Sequence, residues 1–137
     1  MPRIESMAWA GHALEQRDPE TYPIIGAAIE VHRILGPGLL ESAYEECLCH
    51  ELARRAIPFC RQVEIPVMYK GVSLACGYTA DLVVNEIVVV ELKAVEHIAR
   101  VHEAQLLTYM KLLSLRKGLL INFHTAALRQ GIVRRVL

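Results

Sequence analysis

Three residues carry the first chemical signal: Asp81 in Ala80-Asp81-Leu82-Val83-Val84, and Glu91 with Lys93 in Val89-Val90-Glu91-Leu92-Lys93-Ala94. They are the polar groups of two otherwise apolar runs. A carboxylate in a buried strand is costly unless something compensates it, and a hard divalent cation such as magnesium or manganese is a natural compensator. Lys93 is two residues from Glu91, so on a strand both point to one side. There an ammonium can orient a water or steady charge developing on a phosphate. A plain ion pair bracing the hairpin is the ordinary alternative, and an E-x-K triplet alone does not decide between them.

The spacing sets a geometric condition. A strict two-residue turn at Asn85-Glu86 pairs Asp81 with Val90 and sends Asp81 and Glu91 to opposite faces of the sheet. A shared site therefore requires an odd-length loop or a bulge. Asn85 suits the left-handed conformation that such a loop often contains.

Two helical segments supply further candidates. At 100° per residue, Leu48 and Leu52 flank the direction of Glu41, with Tyr44 on the same face. Glu41 is thus expected inside an apolar stripe, where a role as an additional metal ligand would account for it. Glu45 falls at the stripe's margin and Glu46 away from it, as solvated charges. Later, Gln105 and Tyr109 stand four apart on a helix flank with His102 nearby, an amide, a phenol and an imidazole able to reach a phosphate or a carboxylate. On that helix Val101, Ala104, Thr108, Leu112 and Leu115 are expected to face the core. Leu106, Met110 and Leu113 form a second apolar stripe for the N-terminal helix or another subunit to cover.

The elements that must position these groups follow from periodicity and breakers. Residues 1–19 read as a loose N-terminal arm and 20–137 as one domain, the size expected for 137 residues. Helices are expected over 21–35, stopped by Gly36-Pro37-Gly38, and over 39–56. Strands follow at 62–69, 76–84 and 87–93, the last apolar enough to be covered on both faces. A helix over 98–115, a strand over 119–123 and a short edge strand over 131–137 complete the chain. The fold class is α/β (α+β), a mixed sheet of four to five strands flanked by helices.

Composition narrows the setting. Fifteen basic residues balance fifteen acidic ones, which argues against a large nucleic-acid interface but leaves room for a small basic patch. Arg54, Arg55, Arg61, Arg100, Arg116 and Lys117 are candidates for it. Cys47, Cys49, Cys60 and Cys76 match no zinc spacing and read as reduced apolar thiols. No run is long enough to span a bilayer and no secretory signal is seen, so a cytoplasmic location is expected. With 53% hydrophobic residues, the chain has apolar surface to spare for a homodimer.

Taken together the motifs resemble a known family. Gly38-x-x-Glu41-x-x-Tyr44 looks like the signature of the bacterial and archaeal GxxExxY proteins, and the likeness extends through residues 24–32, Gly36-Pro37-Gly38-Leu39-Leu40-Glu41-Ser42, Val90-Glu91-Leu92-Lys93-Ala94-Val95 and Leu119-Leu120-Ile121-Asn122-Phe123. That family is placed in the PD-(D/E)xK nuclease superfamily. The resemblance implies a restriction-endonuclease-like core in the order α-β-β-β-α-β and a magnesium-dependent nuclease acting on nucleic acid, DNA foremost. It assigns catalysis to Asp81, Glu91, Lys93 and Glu41, and a metal to Asp81, Glu91, the Leu92 carbonyl and Glu41. Gln105-x-x-x-Tyr109 is similar to the QxxxY element of RecB-like exonucleases, so Gln105 and Tyr109, with Tyr44 and His102, are expected to orient substrate. Ala80 stands where the motif has proline, and Thr79 where many relatives have a basic residue. No cysteine follows Cys76, so no iron–sulfur cluster is expected, and no zinc. A binding module with an idle site and a small-molecule phosphodiesterase remain as alternatives on the same fold.

Overall fold

The computed structural model describes residues 18–137. Helix α1 spans Tyr22–Leu35 and α2 Glu41–Arg54; strands β1 (Phe59–Tyr69), β2 (Val72–Val84) and β3 (Val88–Lys93) follow. Helix α3 (Arg100–Leu112) then leads to β4 (Lys117–Asn122), a short 3-10 turn and β5 (Ile132–Val136). The strands form one sheet in sequence order, with β3 and β4 parallel and every other neighbouring pair antiparallel. This is the mixed, helix-flanked sheet of a restriction-endonuclease-like core. The parallel pair explains why a helix separates β3 from β4, since parallel strands need a crossover.

The sheet is covered on both faces. Helices α1 and α2 bury Ile24, Ala28, Tyr44, Leu48 and Leu52 against Leu82, Val84, Val88, Val90 and Leu92. Helix α3 buries Leu106, Tyr109 and Met110 against Ile65, Ala80, Val89 and Leu120. Residues of β3 thus alternate between two apolar layers, which is why the strand reads as an unbroken apolar run. Of the expected core face of α3, Leu112 and Leu115 pack against that core, but the rest does not. Val101, Ala104 and Thr108 are exposed, while Leu106 and Met110 meet the sheet. The stripe left for the N-terminal helix or another subunit to cover is therefore filled by the sheet.

Strands β1 and β2 are longer than the periodicity suggested. Phe59 and Cys60 pair with Val84 and Val83, and the outer ends pair only with each other through a shift in register at Ile65/Pro66. Met68, Tyr69, Val72 and Leu74 lie exposed on that outer part. Of the N-terminal arm, residues 1–17 lie outside the described residues. Asp18, at the arm's end, is buried and holds Lys117 Nζ (2.8 Å) and Arg134 Nη2 (2.9 Å), tying α1's start to β4 and β5. Thr21 Oγ1 also donates to it at 2.8 Å. Burial raises the Asp18 pKa, but these donors outweigh it and hold the carboxyl well below the usual carboxylate range.

Candidate functional site

The β2–β3 connection meets the geometric condition. Asn85 and Glu86 both take positive φ (56° and 59°), and Ile87 adds a third residue before the ladder resumes. The register pairs Leu82 with Val90, Val83 with Val89 and Val84 with Val88. Continued one step, it sets Asp81 opposite Glu91, on one face of the sheet. Here the side chains replace the ladder. The Asp81 N–H donates to Glu91 Oε2 at 2.7 Å, and the Leu92 N–H donates to Asp81 Oδ2 at 2.8 Å. Each carboxylate is thus clasped by the other strand's backbone.

The clasp brings two acids together with little water. Glu91 is only 4% exposed, and burial, followed by the Asp81 charge, pushes its pKa up to about 8. The Asp81 N–H and Lys93 act against that rise without cancelling it. The Asp81 pKa is raised as well, by burial first and then by the like charge of Glu45, against the Leu92 N–H, Gln62 and Lys93. Two carboxyls that repel and are desolvated together form a site that a cation would relax. Among the described residues no group of three or more His, Cys, Asp or Glu is gathered closely enough to enclose a metal. A pair of carboxylates is nonetheless the donor set of a hard cation that keeps several waters, as magnesium does. The residues present therefore fit magnesium or manganese.

Glu41 stands at the rim. It is exposed, not inside the apolar stripe, because it is the first residue of α2. Its carboxyl still senses the site. Partial desolvation and Asp81 raise its pKa, with Lys93 opposing. The position inside the stripe belongs to Glu45, expected to be solvated. Glu45 is buried beside Leu48, Cys49 and Leu52, where Arg61 Nη2 (3.0 Å) and Gln62 Nε2 (3.1 Å) satisfy it. Its i, i+3, i+4 and i+7 spacing with those residues was the available signal.

On the α3 side, Gln105 Nε2 donates to the Tyr109 hydroxyl at 3.0 Å. Tyr109 is nearly buried, and its pKa is raised by burial and then by Glu91. Tyr109 is thus within electrostatic reach of the acidic pair, and Gln105 is tied to it. Tyr44 and His102 are engaged otherwise. Tyr44 is wholly buried and stacks on Phe123 with ring centroids 4.4 Å apart. Its hydroxyl donates to Gly36 O (2.5 Å) and accepts the Leu39 N–H (3.2 Å). It cannot touch a substrate; it braces the Gly36-Pro37-Gly38 turn. Gly38, at φ +106°, holds a conformation that favours glycine. The Gly38-x-x-Glu41-x-x-Tyr44 spacing is thus a turn, a helix start and a brace, with Glu41 presented at the helix tip. His102 serves its own helix: Nδ1 accepts the Ala99 N–H at 3.0 Å in the first turn of α3.

The basic candidates are mostly engaged. Arg61 holds Glu45 and Glu46, Arg55 holds Glu51, Lys117 holds Asp18 and Glu20, and Arg116 donates to Leu137 O. All four cysteines are free thiols, and burial raises the Cys49 pKa to about 11. No described helix is long and apolar enough to cross a membrane. Compared with known families, the sequence matches the PD-(D/E)XK nuclease superfamily over residues 18–136. No curated protein and no solved structure matches it.

Proposed function

The chain belongs to the PD-(D/E)XK nuclease superfamily, and from that premise we propose that it is a divalent-cation-dependent nuclease of the GxxExxY group, centred on Asp81, Glu91 and Lys93. The observation that carries this reading is the reciprocal clasp of Asp81 and Glu91 across an opened ladder, with Glu91 held above its ordinary pKa. A metal centre explains why two repelling carboxyls are kept together at this cost.

In this reading Asp81 and Glu91 hold the cation, with the Leu92 carbonyl and Glu41 completing the protein's share. Magnesium or manganese, when bound, supplies an acidified water and a polarised phosphoryl oxygen. Lys93 presents its ammonium on the side of β3 that carries Glu91, where it orients the attacking water and stabilises phosphoryl charge. Gln105 donates to the Tyr109 oxygen, which leaves the Tyr109 O–H free to donate toward a carboxylate or a phosphate.

One observation favours the alternative of a binding module with an idle site: Arg55, Arg61 and Lys117 are committed to acids of the chain itself, so little basic surface is left for a nucleic-acid backbone. Manganese titration by calorimetry, followed by cleavage assays on single-stranded, duplex and branched DNA, separates the two. Parent protein should bind manganese, and Asp81→Ala should not. Lys93→Ala should bind manganese yet cut roughly 10²–10³-fold more slowly. Absence of site-specific manganese binding by the parent refutes the nuclease reading. Metal binding with every polynucleotide left uncut points to a small-molecule phosphodiester.

A further inference from the structure

Strands β1 and β2 change face beside the acidic pair. Leu82 and Val84 belong to the core under α1 and α2, whereas Ala80, two residues earlier, belongs to the core under α3. The ladder pairs Arg61 with Leu82 and Val63 with Ala80 but skips the Gln62 and Asp81 position between them. At that break Gln62 takes φ +49°, a left-handed conformation uncommon for a residue with a side chain. Such strain persists only where the surroundings enforce it, and it gathers at functional sites.

The Gln62 side chain is fully engaged. Nε2 donates to Glu45 at 3.1 and 3.2 Å and to Asp81 Oδ1 at 3.4 Å, while Oε1 accepts the Thr79 hydroxyl at 3.1 Å. The two carboxylates can only accept, so they fix which end of the amide faces them. A neutral donor thus bridges two like charges, with Arg61 balancing Glu45 from its other side. Asp81 is consequently gripped at both oxygens, Oδ1 by Gln62 and Oδ2 by the Leu92 N–H.

We propose that Gln62 is a positioning residue, anchored by Glu45 and Thr79, whose left-handed backbone and amide aim the Asp81 carboxylate at the cation. This rests on the metal-dependent reading above. The separation of duties is specific: Asp81 holds the ion, Gln62 holds Asp81, and Glu45 holds Gln62.

Two variants keep the backbone conformation while removing the grip. Gln62→Gly and Gln62→Asn both accept positive φ, and asparagine is too short to span Glu45 and Asp81. Manganese affinity is read by calorimetry and the melting temperature is read without metal. Loss of a side chain that only orients a ligand weakens metal binding roughly 10–100-fold. The expected result is a loss of about tenfold or more in both variants, with the melting temperature lowered by no more than the lost Glu45, Asp81 and Thr79 bonds explain and still well above the titration temperature. Unchanged affinity in the asparagine variant overturns the proposal. So does a melting temperature low enough that partial unfolding at the titration temperature accounts for the loss of binding, since that marks a structural role. A parent protein that binds no manganese refutes the nuclease reading and this proposal with it; a parent that binds, with variants that bind equally, refutes only the role of Gln62.

Discussion

Glu91→Gln should make the metal-free protein more stable while removing its metal site. Below its ordinary pKa of 4.5 the Glu91 carboxyl is protonated in both folded and unfolded chains and the substitution changes little. Between 4.5 and about 8 the unfolded chain releases the proton and the folded chain keeps it, so stability falls as pH rises through that window and the loss is complete above it. At about 1.36 kcal/mol per pH unit the whole interval is on the order of 5 kcal/mol. Asp81 titrates with Glu91 and shares the penalty, so a gain of about 3 kcal/mol at pH 8.5 is the expectation. Glutamine fits the geometry. Its carbonyl oxygen can take over the Asp81 N–H that Glu91 Oε2 accepts, and its amide brings no second negative charge beside Asp81. Urea unfolding in chelator at pH 5 and pH 8.5 measures the effect. Saturating manganese should narrow the difference, because only the parent gains from binding. No gain at pH 8.5, or the same gain at both pH values, would refute the argument from desolvated acids.

Two other perturbations separate the frame from the site. Tyr44→Phe leaves the Gly36 carbonyl and Leu39 N–H without their partner and should cost about 1–3 kcal/mol in urea unfolding, while cleavage per folded molecule stays within a few-fold of the parent; a large selective loss of cleavage would restore Tyr44 to the site. Asp18→Asn breaks the links to Lys117 and Arg134 and should cost about 2–3 kcal/mol at neutral pH, less than a fully buried pair because both partners keep some solvent. The Asp18 pKa is lowered in the fold, so its contribution is present above the ordinary carboxyl pKa and is lost as pH falls through the folded value. Unfolding profiles of parent and variant should therefore converge on acidification, and a constant gap down to pH 2 would contradict this.

The layered fold and the strand pair were legible because they rest on strong local signals. Breakers bound each element, β3 reads as a doubly covered strand, and the Asp81 and Glu91 spacing admits a shared face only with an odd-length loop. What was missed depended on where an element ends relative to the sheet. Helical angle placed Glu41 in the stripe, but an angle does not say that the first residue of a helix overhangs the core, nor that Glu45 lies over Arg61 and Gln62. On α3 the two apolar stripes were nearly equivalent by periodicity, and only the sheet's position selects Leu106 and Met110 over Val101 and Thr108. The break at Gln62 was invisible, since glutamine carries no propensity for positive φ; tertiary contacts impose it.

Among the described residues strand β1 also bounds the sheet, and an eleven-residue edge strand is a ready template for stacking one molecule on the next. This one is interrupted twice. Gln62 turns left-handed near its start. Pro66, which has no N–H to offer a neighbour, sits at the register shift farther along. The opposite edge, β5, is five residues long and carries Arg134 and Arg135. Neither border presents a long straight row of open donors and acceptors, so the irregularity beside the acidic pair also guards against end-on polymerisation. A substitution that straightened β1 would put solubility at risk before it touched the core.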